Sequence, residues 1–245
     1  MSDIALQLAA FSTCDVSDCL LNMYGDPEGG YIPNLHQWSG QHGDTLVGQA
    51  YTVLFAPHDD PRPEINYIDA VPEGSVVVMA LTLPMQLEAA PYVRISQAMY
   101  GGLMSRRAQN LGAKGTIVFG RIRDLAEHRE LNFPVYSYAL GTCSPKMAVK
   151  PVAVQVRLHI LCCEAKIQNI RPGDYMVGDE NGIVRIPTEK VVMQDFFHYM
   201  HKSVAADRLI AQDVAEGKPL KSSQNSRRAV LKNVLSGFDT SWRPR

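Results

Sequence analysis

The pattern of apolar and polar positions along the chain predicts a mixed α/β protein. Residues 3–24 carry apolar side chains at helical spacing, with Ser12 or Thr13 suited to cap a helix and Gly25 suited to stop it. Short runs rich in β-branched, aromatic or other apolar residues predict strands. These runs are 46–56, 75–81, 116–120, 133–141 and the two halves of 173–187.

The connecting segments are less regular. Residues 57–74 contain four prolines and predict a short helix only in their second half, and residues 83–96 are expected to be irregular because Pro84 and Pro91 interrupt any long helix. An Asn181-Gly182 turn between the last two strands predicts a hairpin. Long amphipathic helices are predicted after Thr188.

One segment, YGGLMSRRAQNLGAKGTIVFGRIRD at 100–124, predicts a βαβ unit with the strand at 75–81. Four apolar residues are expected on one face of its helix: Leu103, Met104, Ala108 and Leu111. A helix of this length rises about 15 Å, and the returning strand covers a similar distance in the opposite direction. The loop after the strand is therefore expected near the start of the helix.

This expected meeting point has the residues of an anion site. Free backbone N–H groups at a helix start, here preceded by Gly101 and Gly102, attract negative charge. Arg123 suits a carboxylate through two parallel hydrogen bonds, and Asp124 and Glu127 supply oxygens for a hard divalent ion. A plain surface salt bridge between Arg123 and Asp124 is the competing interpretation. No GxGxxG or Walker A motif indicates a nucleotide.

Composition excludes several classes of protein. The 245 residues carry 24 Lys and Arg against 25 Asp and Glu, so no overall field favours nucleic acid or an anionic membrane surface. No apolar run reaches the roughly 20 residues of a membrane helix, and the N-terminus lacks the features of a signal peptide. With five cysteines and no CxxC motif, the sequence predicts reduced thiols and a cytoplasmic protein.

Other chemically active residues near this segment have more ordinary interpretations. A Schiff-base mechanism requires a desolvated lysine, whereas Lys114, Lys146 and Lys150 lie in predicted turns and polar connections. His128 is either an acid or base or an exposed residue beyond the charged turn. Residues 105–107 are expected on a solvated helix face.

The segment at 100–124, followed by FPVYSY and PGDYMVGDENGIVRIP, resembles the RraA-like proteins, and the shorter fungal members look nearest. These proteins include 4-hydroxy-4-methyl-2-oxoglutarate aldolases that also decarboxylate oxaloacetate. The similarity covers about residues 12–190. It implies a layered α/β/β/α sandwich of the swivelling β/β/α type, with 1–190 as the catalytic domain and 191–245 as a helical extension packed on it. It also implies homotrimers or pairs of trimers with active sites between subunits.

The resemblance further implies a class II lyase that uses Mg or Mn to cleave a short 2-oxo acid through a pyruvate enolate. The aldolase motif is an acidic residue, twenty intervening residues and then Arg-Asp, and here the acidic position falls on Gly102. Related proteins with glycine there carry an acidic residue three places after the Asp, which is Glu127 in this chain. The general base stays open, with water held by Glu127 as one hypothesis.

On this resemblance, Arg123 contacts the substrate carboxylate and the enolate, and Asp124 is the metal ligand. Glu127 is a compensating ligand, while the turn at Gly101 and Gly102 with the amides of Leu103 and Met104 binds the carboxylate. Two alternatives stay open. The first is a non-catalytic binding protein, since some members bind and inhibit RNA-degrading enzymes. The second is a specialised lyase of a fungal biosynthetic pathway.

Overall fold

The computed structural model describes residues 3–41 and 43–236, which form helices packed around a large mixed sheet. The helices are α1 (Asp3–Leu8), α2 (Thr13–Tyr24), α3 (Gly102–Asn110), α4 (Leu125–Glu130), α5 (Met193–Ala215), α6 (Leu220–Arg227) and α7 (Ala229–Ser236). The strands are β1 (Tyr31–Ile32), β2 (His36–Ser39), β3 (Leu46–Pro57), β4 (Ser75–Leu81), β5 (Gly115–Ile122), β6 (Val135–Leu140), β7 (Val149–Val154), β8 (Leu158–Leu161), β9 (Ile167–Ile170), β10 (Tyr175–Asp179) and β11 (Gly182–Ile186).

The main sheet has the strand order β1-β11-β10-β3-β4-β5-β6-β2, and β7 pairs with the second half of β3. Strands β3 to β6 run parallel to one another, whereas β10, β11, β1 and β2 are antiparallel to their neighbours. A separate hairpin of β8 and β9 forms a second, small β layer. The predicted α/β class is confirmed, and so is the βαβ unit of β4, α3 and β5.

The parallel strands lie in the middle of the molecule because both of their faces are covered. All seven residues of β4 are buried, as expected for a strand with apolar neighbours on each side. Alternate residues enter two cores: Val77 and Met79 pack on the side of α3, and Val76 and Val78 pack against the β8–β9 hairpin. This continuous apolar run explains why the strand was recognisable from the sequence.

The terminal helices form a third core against β10 and β11. Ser12 is the N-cap of α2 and makes a capping box with Asp15, and Gly25 ends the helix in the left-handed conformation at φ 62°. Apolar residues of α2, α5 and α7 pack together on Val177 and Val184. The helices after residue 190 thus pack on the same body as α2. The predicted domain division at residues 190 and 191 stays a prediction, and its last nine residues lie outside the described chain.

Two local predictions were wrong. The hairpin between β10 and β11 is present, but Asp179 pairs with Gly182, so the two loop residues are Glu180 and Asn181 and not Asn181 and Gly182. The Asp179 carboxylate accepts a hydrogen bond from the Asn181 N–H at 2.8 Å and thereby shapes this turn. In residues 57–74 only one 3-10 turn, Ile68–Ala70, replaces the predicted short helix.

The buried face of α3 also differs from the predicted one. Leu103 is 69% exposed, whereas Ser105 and Ala108 are fully buried. Ala108 follows Leu103 by five positions, which is a rotation of about 140° around the helix axis, so the two side chains point to different sides. The exposed leucine lies at the start of the helix, and the buried serine lies three residues before Ala108 on the core-facing side.

The cysteines and the helices of the described residues bear on two further predictions, reduced thiols and the lack of a membrane helix. All five cysteines are free thiols, and of the adjacent pair Cys162 is buried and Cys163 is exposed. Within residues 3–41 and 43–236, no helix combines the length and the apolar character required to span a membrane.

The carboxylate of Asp213 joins the end of α5 to α6. It accepts hydrogen bonds from Lys218 Nζ at 2.7 Å and from Arg227 Nε and Nη2 at 2.8 and 2.9 Å. Hydrogen bonds from Arg227 and Lys218 hold the pKa of this carboxyl well below its usual range. The ionised form therefore stabilises the fold above the ordinary pKa of about 4 and loses this contribution as the pH falls further.

We expect Asp213→Asn to accelerate hydrogen exchange in residues 220–227 and to lower the unfolding temperature at pH 7. The difference in unfolding temperature from the unmodified protein should shrink below about pH 4, because Asp213 of the unfolded chain then takes up a proton and folding has to release it again. Asp207→Asn is the matched control, since its partner Arg228 is exposed and their ion pair lies on the surface. Equal exchange in both variants would contradict a special role for Asp213.

Candidate functional site

Two chain segments meet at the carboxyl ends of the parallel strands. The first leads from Tyr100 through a glycine pair into α3, and the second leads from β5 through Arg123 and Asp124 into α4. The Arg123 N–H donates to the Tyr100 carbonyl at 3.0 Å, and the Gly102 N–H donates to Asp124 Oδ2 at 3.2 Å. The predicted meeting of the helix start with the Arg-Asp pair is therefore present.

The backbone at Asp124 turns its side chain toward α3. Asp124 has φ 61° and ψ 43°, a left-handed conformation that a short polar residue tolerates better than most. It occupies the N-cap position of α4 but makes no capping hydrogen bond there. Its carboxylate bonds to Gly102 instead, and 35% of the side chain stays accessible. The turn thus presents carboxylate oxygen both to the neighbouring segment and to solvent.

Arg123 extends beside this carboxylate. Its Nε lies 3.4 Å from Asp124 Oδ2, and 39% of the side chain is exposed. A single long contact between accessible groups contributes little to the stability of the fold. Stability alone therefore does not explain why Arg123 and Asp124 lie side by side. Most of the guanidinium donors stay available to an anion.

Glu127 fills the space next to Gly102. A Cβ atom added to Gly102 would lie 2.1 Å from Glu127 Oε2 and 2.6 Å from Glu127 Cβ. No side chain fits at position 102 while Glu127 keeps this position, because such contacts are far below van der Waals distance. The carboxylate of Glu127 makes no hydrogen bond or ion pair with any described residue. A carboxylate from α4 thus lies in the space that a side chain at position 102 would need.

The N–H groups at the start of α3 are partly occupied. The Met104 N–H donates to the Gly101 carbonyl at 3.0 Å, and the Gly102 N–H is bonded to Asp124. Of the two amides predicted to bind a carboxylate, only that of Leu103 has no acceptor among the described residues. The positive end of the helix and this free donor still favour an anion.

A cavity of about 680 Å³ opens where the two segments meet, a size typical of small-molecule sites. Gly101, Leu103, Met104, Arg123 and Asp124 line it, together with residues 64–68 and 144–146. Gly102 and Glu127 are not among the lining residues. The Arg123–Asp124 pair therefore borders an open cavity, which a plain surface salt bridge would not require.

The three lysines considered from the sequence occupy different surroundings. Lys150 Nζ donates to the Asp60 carbonyl at 2.7 Å, and Lys114 is half-buried away from the cavity. Lys146 is exposed, as predicted, but it also lines the cavity in the loop after β6. Nothing in the apolar pattern marks this loop as part of the site, because its position depends on a turn without regular structure.

His128 is fully buried, so the expected exposed role was wrong. Its Nδ1 lies 2.9 Å from Ser105 Oγ, and its ring stacks on Tyr100 at an interplanar angle of 3°. Burial lowers the pKa of His128, and the Arg123 backbone and the Asp124 and Glu127 charges only partly oppose this effect. Ser105 is likewise buried instead of solvated. The helical spacing of Leu125 and His128, which places them on one face of α4, is the sequence feature that indicates the burial of His128.

The residues present suit a hard divalent ion in part. No group of three His, Cys, Asp or Glu side chains that could hold a metal occurs in the described chain. Mg²⁺ is commonly held by one or two carboxylates, with water and substrate oxygens completing its shell. Asp124 supplies accessible carboxylate oxygen at the cavity, and Glu127 supplies a second carboxylate nearby. This donor set fits Mg²⁺ or Mn²⁺ and has none of the soft ligands that zinc or copper prefers.

Comparison with known proteins gives a consistent result. A family model described as RraA-like, Aldolase/RraA, matches residues 13–185. Protein DlpA of Legionella pneumophila is 28% identical over 91% of this chain and 34% of its own length. A 4-hydroxy-4-methyl-2-oxoglutarate aldolase of Thermus thermophilus is 33% identical over 37% of this chain and 51% of its own length. The chain thus spans about half or less of these two relatives.

A solved structure supports the same fold. The crystal structure of an uncharacterized protein from Pseudomonas syringae pv. tomato superposes with a TM-score of 0.72 and 26% identity. The superposition covers 91% of this chain and 98% of the other.

We expect Gly102→Ala to destabilise the protein by about 1–3 kcal/mol, because the new methyl group meets the Cβ of Glu127 and forces α3 and α4 apart. Gly101→Ala is the matched control. The three atoms nearest to a Cβ there belong to the side chains of Asp124 and Arg123, the closest at 2.6 Å, and these side chains can rotate away. Urea unfolding of both variants would test the difference. Equal losses of stability would contradict the close packing of Gly102 on Glu127.

Proposed function

Since the chain belongs to the RraA-like family, we propose that it is a divalent-metal-dependent lyase acting on a short 2-oxo acid. The proposed reactions are retro-aldol cleavage of substrates of the 4-hydroxy-4-methyl-2-oxoglutarate type and decarboxylation of oxaloacetate, both through a pyruvate enolate. One observation carries the proposal: the free N–H of Leu103 and the Arg123–Asp124 pair border the same cavity. A small anion such as a 2-oxo acid suits this cavity, because its carboxylate matches Arg123 and the Leu103 N–H while its 2-oxo oxygen matches a metal held by Asp124.

The proposed role of Arg123 is to hold the substrate carboxylate and the oxygen on which negative charge develops. A donor already in place at a developing oxyanion lowers the barrier because it need not reorient during the reaction. Leu103 N–H would bind the same carboxylate from the opposite segment, so the two groups together fix the orientation of the substrate.

Asp124 is the proposed metal ligand, with Glu127 as the compensating carboxylate. A bound Mg²⁺ or Mn²⁺ would act as a Lewis acid toward the 2-oxo group. Glu127 lies in the space that a side chain at position 102 would occupy. This position supports the proposal that Glu127 replaces the acidic residue found at that point in the aldolase motif.

We also propose that a second copy of the chain closes the site, in a homotrimer or a pair of trimers. Leu103 borders the cavity and is 69% exposed, and Met147, next to the cavity residue Lys146, is 84% exposed. Large apolar side chains that stay exposed at or near a cavity are typical of a contact surface. A cytoplasmic location is proposed in addition and agrees with five unpaired cysteines.

We expect the protein with Mg²⁺ or Mn²⁺ to release pyruvate from 4-hydroxy-4-methyl-2-oxoglutarate, from oxaloacetate or from both, and a chelator to abolish the release. Arg123→Ala should lower kcat about a hundredfold, equivalent to about 3 kcal/mol, because one oxyanion donor is lost. A coupled assay for pyruvate measures both effects.

Arg208→Ala is the matched control, since Arg208 is an exposed arginine on α5 and does not line the cavity. Folded protein without metal-dependent turnover of either substrate, or an Arg123→Ala variant as active as the control, would overturn the lyase assignment as stated. Turnover of only a different 2-oxo acid would instead support a specialised lyase. Binding to an RNA-degrading enzyme without turnover would support the non-catalytic role.

A further inference from the structure

A chain of buried polar side chains lies directly behind the proposed site. His128 Nδ1 lies 2.9 Å from Ser105 Oγ, and Thr116 Oγ1 donates to the Tyr100 hydroxyl at 3.0 Å. All four side chains are buried, and the Tyr100 and His128 rings stack with centroids 5.8 Å apart. None of the contacts between the four depends on solvent.

These contacts connect the two segments that form the site. Tyr100 immediately precedes the glycine pair, and Ser105 lies in the second turn of α3. His128 lies on α4, four residues after Asp124, and Thr116 belongs to β5. The bond between His128 and Ser105 therefore crosses from the segment with Arg123 and Asp124 to the segment with the Leu103 amide.

Stability alone does not account for a histidine at this place. His128 Nε2 has no hydrogen bond of normal geometry to any described residue, and the interaction of the ring with the Arg123 backbone offsets only part of the free-energy cost of burying it. An apolar side chain would fill the space between α3, α4 and Tyr100 without this cost. Buried hydrogen bonds do, however, fix direction and distance more narrowly than apolar packing does.

We propose that His128 is a positioning residue that, through Ser105, sets the placement of Arg123 and Asp124 relative to the start of α3. His128 does not line the cavity and therefore does not touch the substrate. This inference rests on the proposed function, because the positioned groups are those assigned to substrate and metal.

A specific kinetic pattern follows from this role. The carboxylate of the substrate retains its contacts when the two segments become less rigidly joined, so KM changes little. Stabilisation of the developing charge requires Arg123 at one defined place, and a displacement of about 1 Å at such a group costs up to a hundredfold in rate. The loss therefore falls on kcat.

The experiment compares His128→Leu, His128→Asn and Ser105→Ala. Leucine fills the space without a hydrogen bond, whereas asparagine retains a polar atom at the δ position that faces Ser105. We expect His128→Leu and Ser105→Ala each to lower kcat ten- to a hundredfold while KM changes less than about threefold. His128→Asn should recover kcat to within about threefold of the unmodified protein. A double variant that combines His128→Leu with Ser105→Ala should be no worse than either single variant, because both substitutions remove the same interaction.

Thr52→Val is the matched control, because Thr52 is a fully buried hydroxyl that donates to the Val156 carbonyl at 2.6 Å away from the site. It should lower the unfolding temperature and leave kcat within about twofold. Unchanged kcat in His128→Leu, or failure of His128→Asn to recover activity that His128→Leu loses, would overturn the positioning role.

Hydrogen exchange separates this proposal from the proposed function. If the unmodified protein cleaves neither substrate, the lyase assignment fails, and exchange of the amides at 101–105 and 123–127 still tests the positioning role. Faster exchange of both segments in His128→Leu than in His128→Asn would support it. Equal exchange in the two variants would overturn it.

Discussion

The hydrogen bond from the Gly102 N–H to the Asp124 carboxylate joins the two chain segments on which the whole site depends. Parallel pairing of β4 with β5 brings the segments to the same edge of the sheet, but it does not align them in detail. The left-handed turn at Asp124 does so by aiming its carboxylate at the start of α3. As a consequence, a free helix amide, a guanidinium and a carboxylate border one cavity.

The absence of a side chain at position 102 is a packing requirement of this arrangement. Glu127 approaches so closely that any Cβ at 102 would collide with it. The aldolase motif supplies its acidic group from position 102, whereas this chain brings a carboxylate to the same space from α4. In the proposed function, this carboxylate takes the role of the acidic residue of the motif. The bond between His128 and Ser105 then holds α4 against α3 from the buried side.

Much of the fold could be predicted because strong local signals agreed with the tertiary structure. The strand at 75–81 is an uninterrupted apolar run and is buried on both faces, and α2 carries both its cap and its stop in the sequence. The wrong predictions concern places where contacts between distant parts of the chain determine the local structure or the exposure of a side chain. The Asp179 carboxylate, which accepts hydrogen bonds from the distant Thr13 as well as from Asn181, accompanies a hairpin turn shifted by one residue, and the exposure of Leu103 reflects the cavity beside it. Neither the burial of His128 nor the place of Lys146 is visible in periodicity, since both depend on how separate segments pack.

The most direct test of the proposed site is a crystal structure of the protein with Mg²⁺ and oxalate, an unreactive analogue of the pyruvate enolate. We expect metal on the Asp124 carboxylate and oxalate between the Arg123 guanidinium and the Leu103 N–H, inside the cavity of about 680 Å³. Oxalate and metal bound elsewhere, with Arg123 and Asp124 unchanged and in contact only with each other, would contradict it.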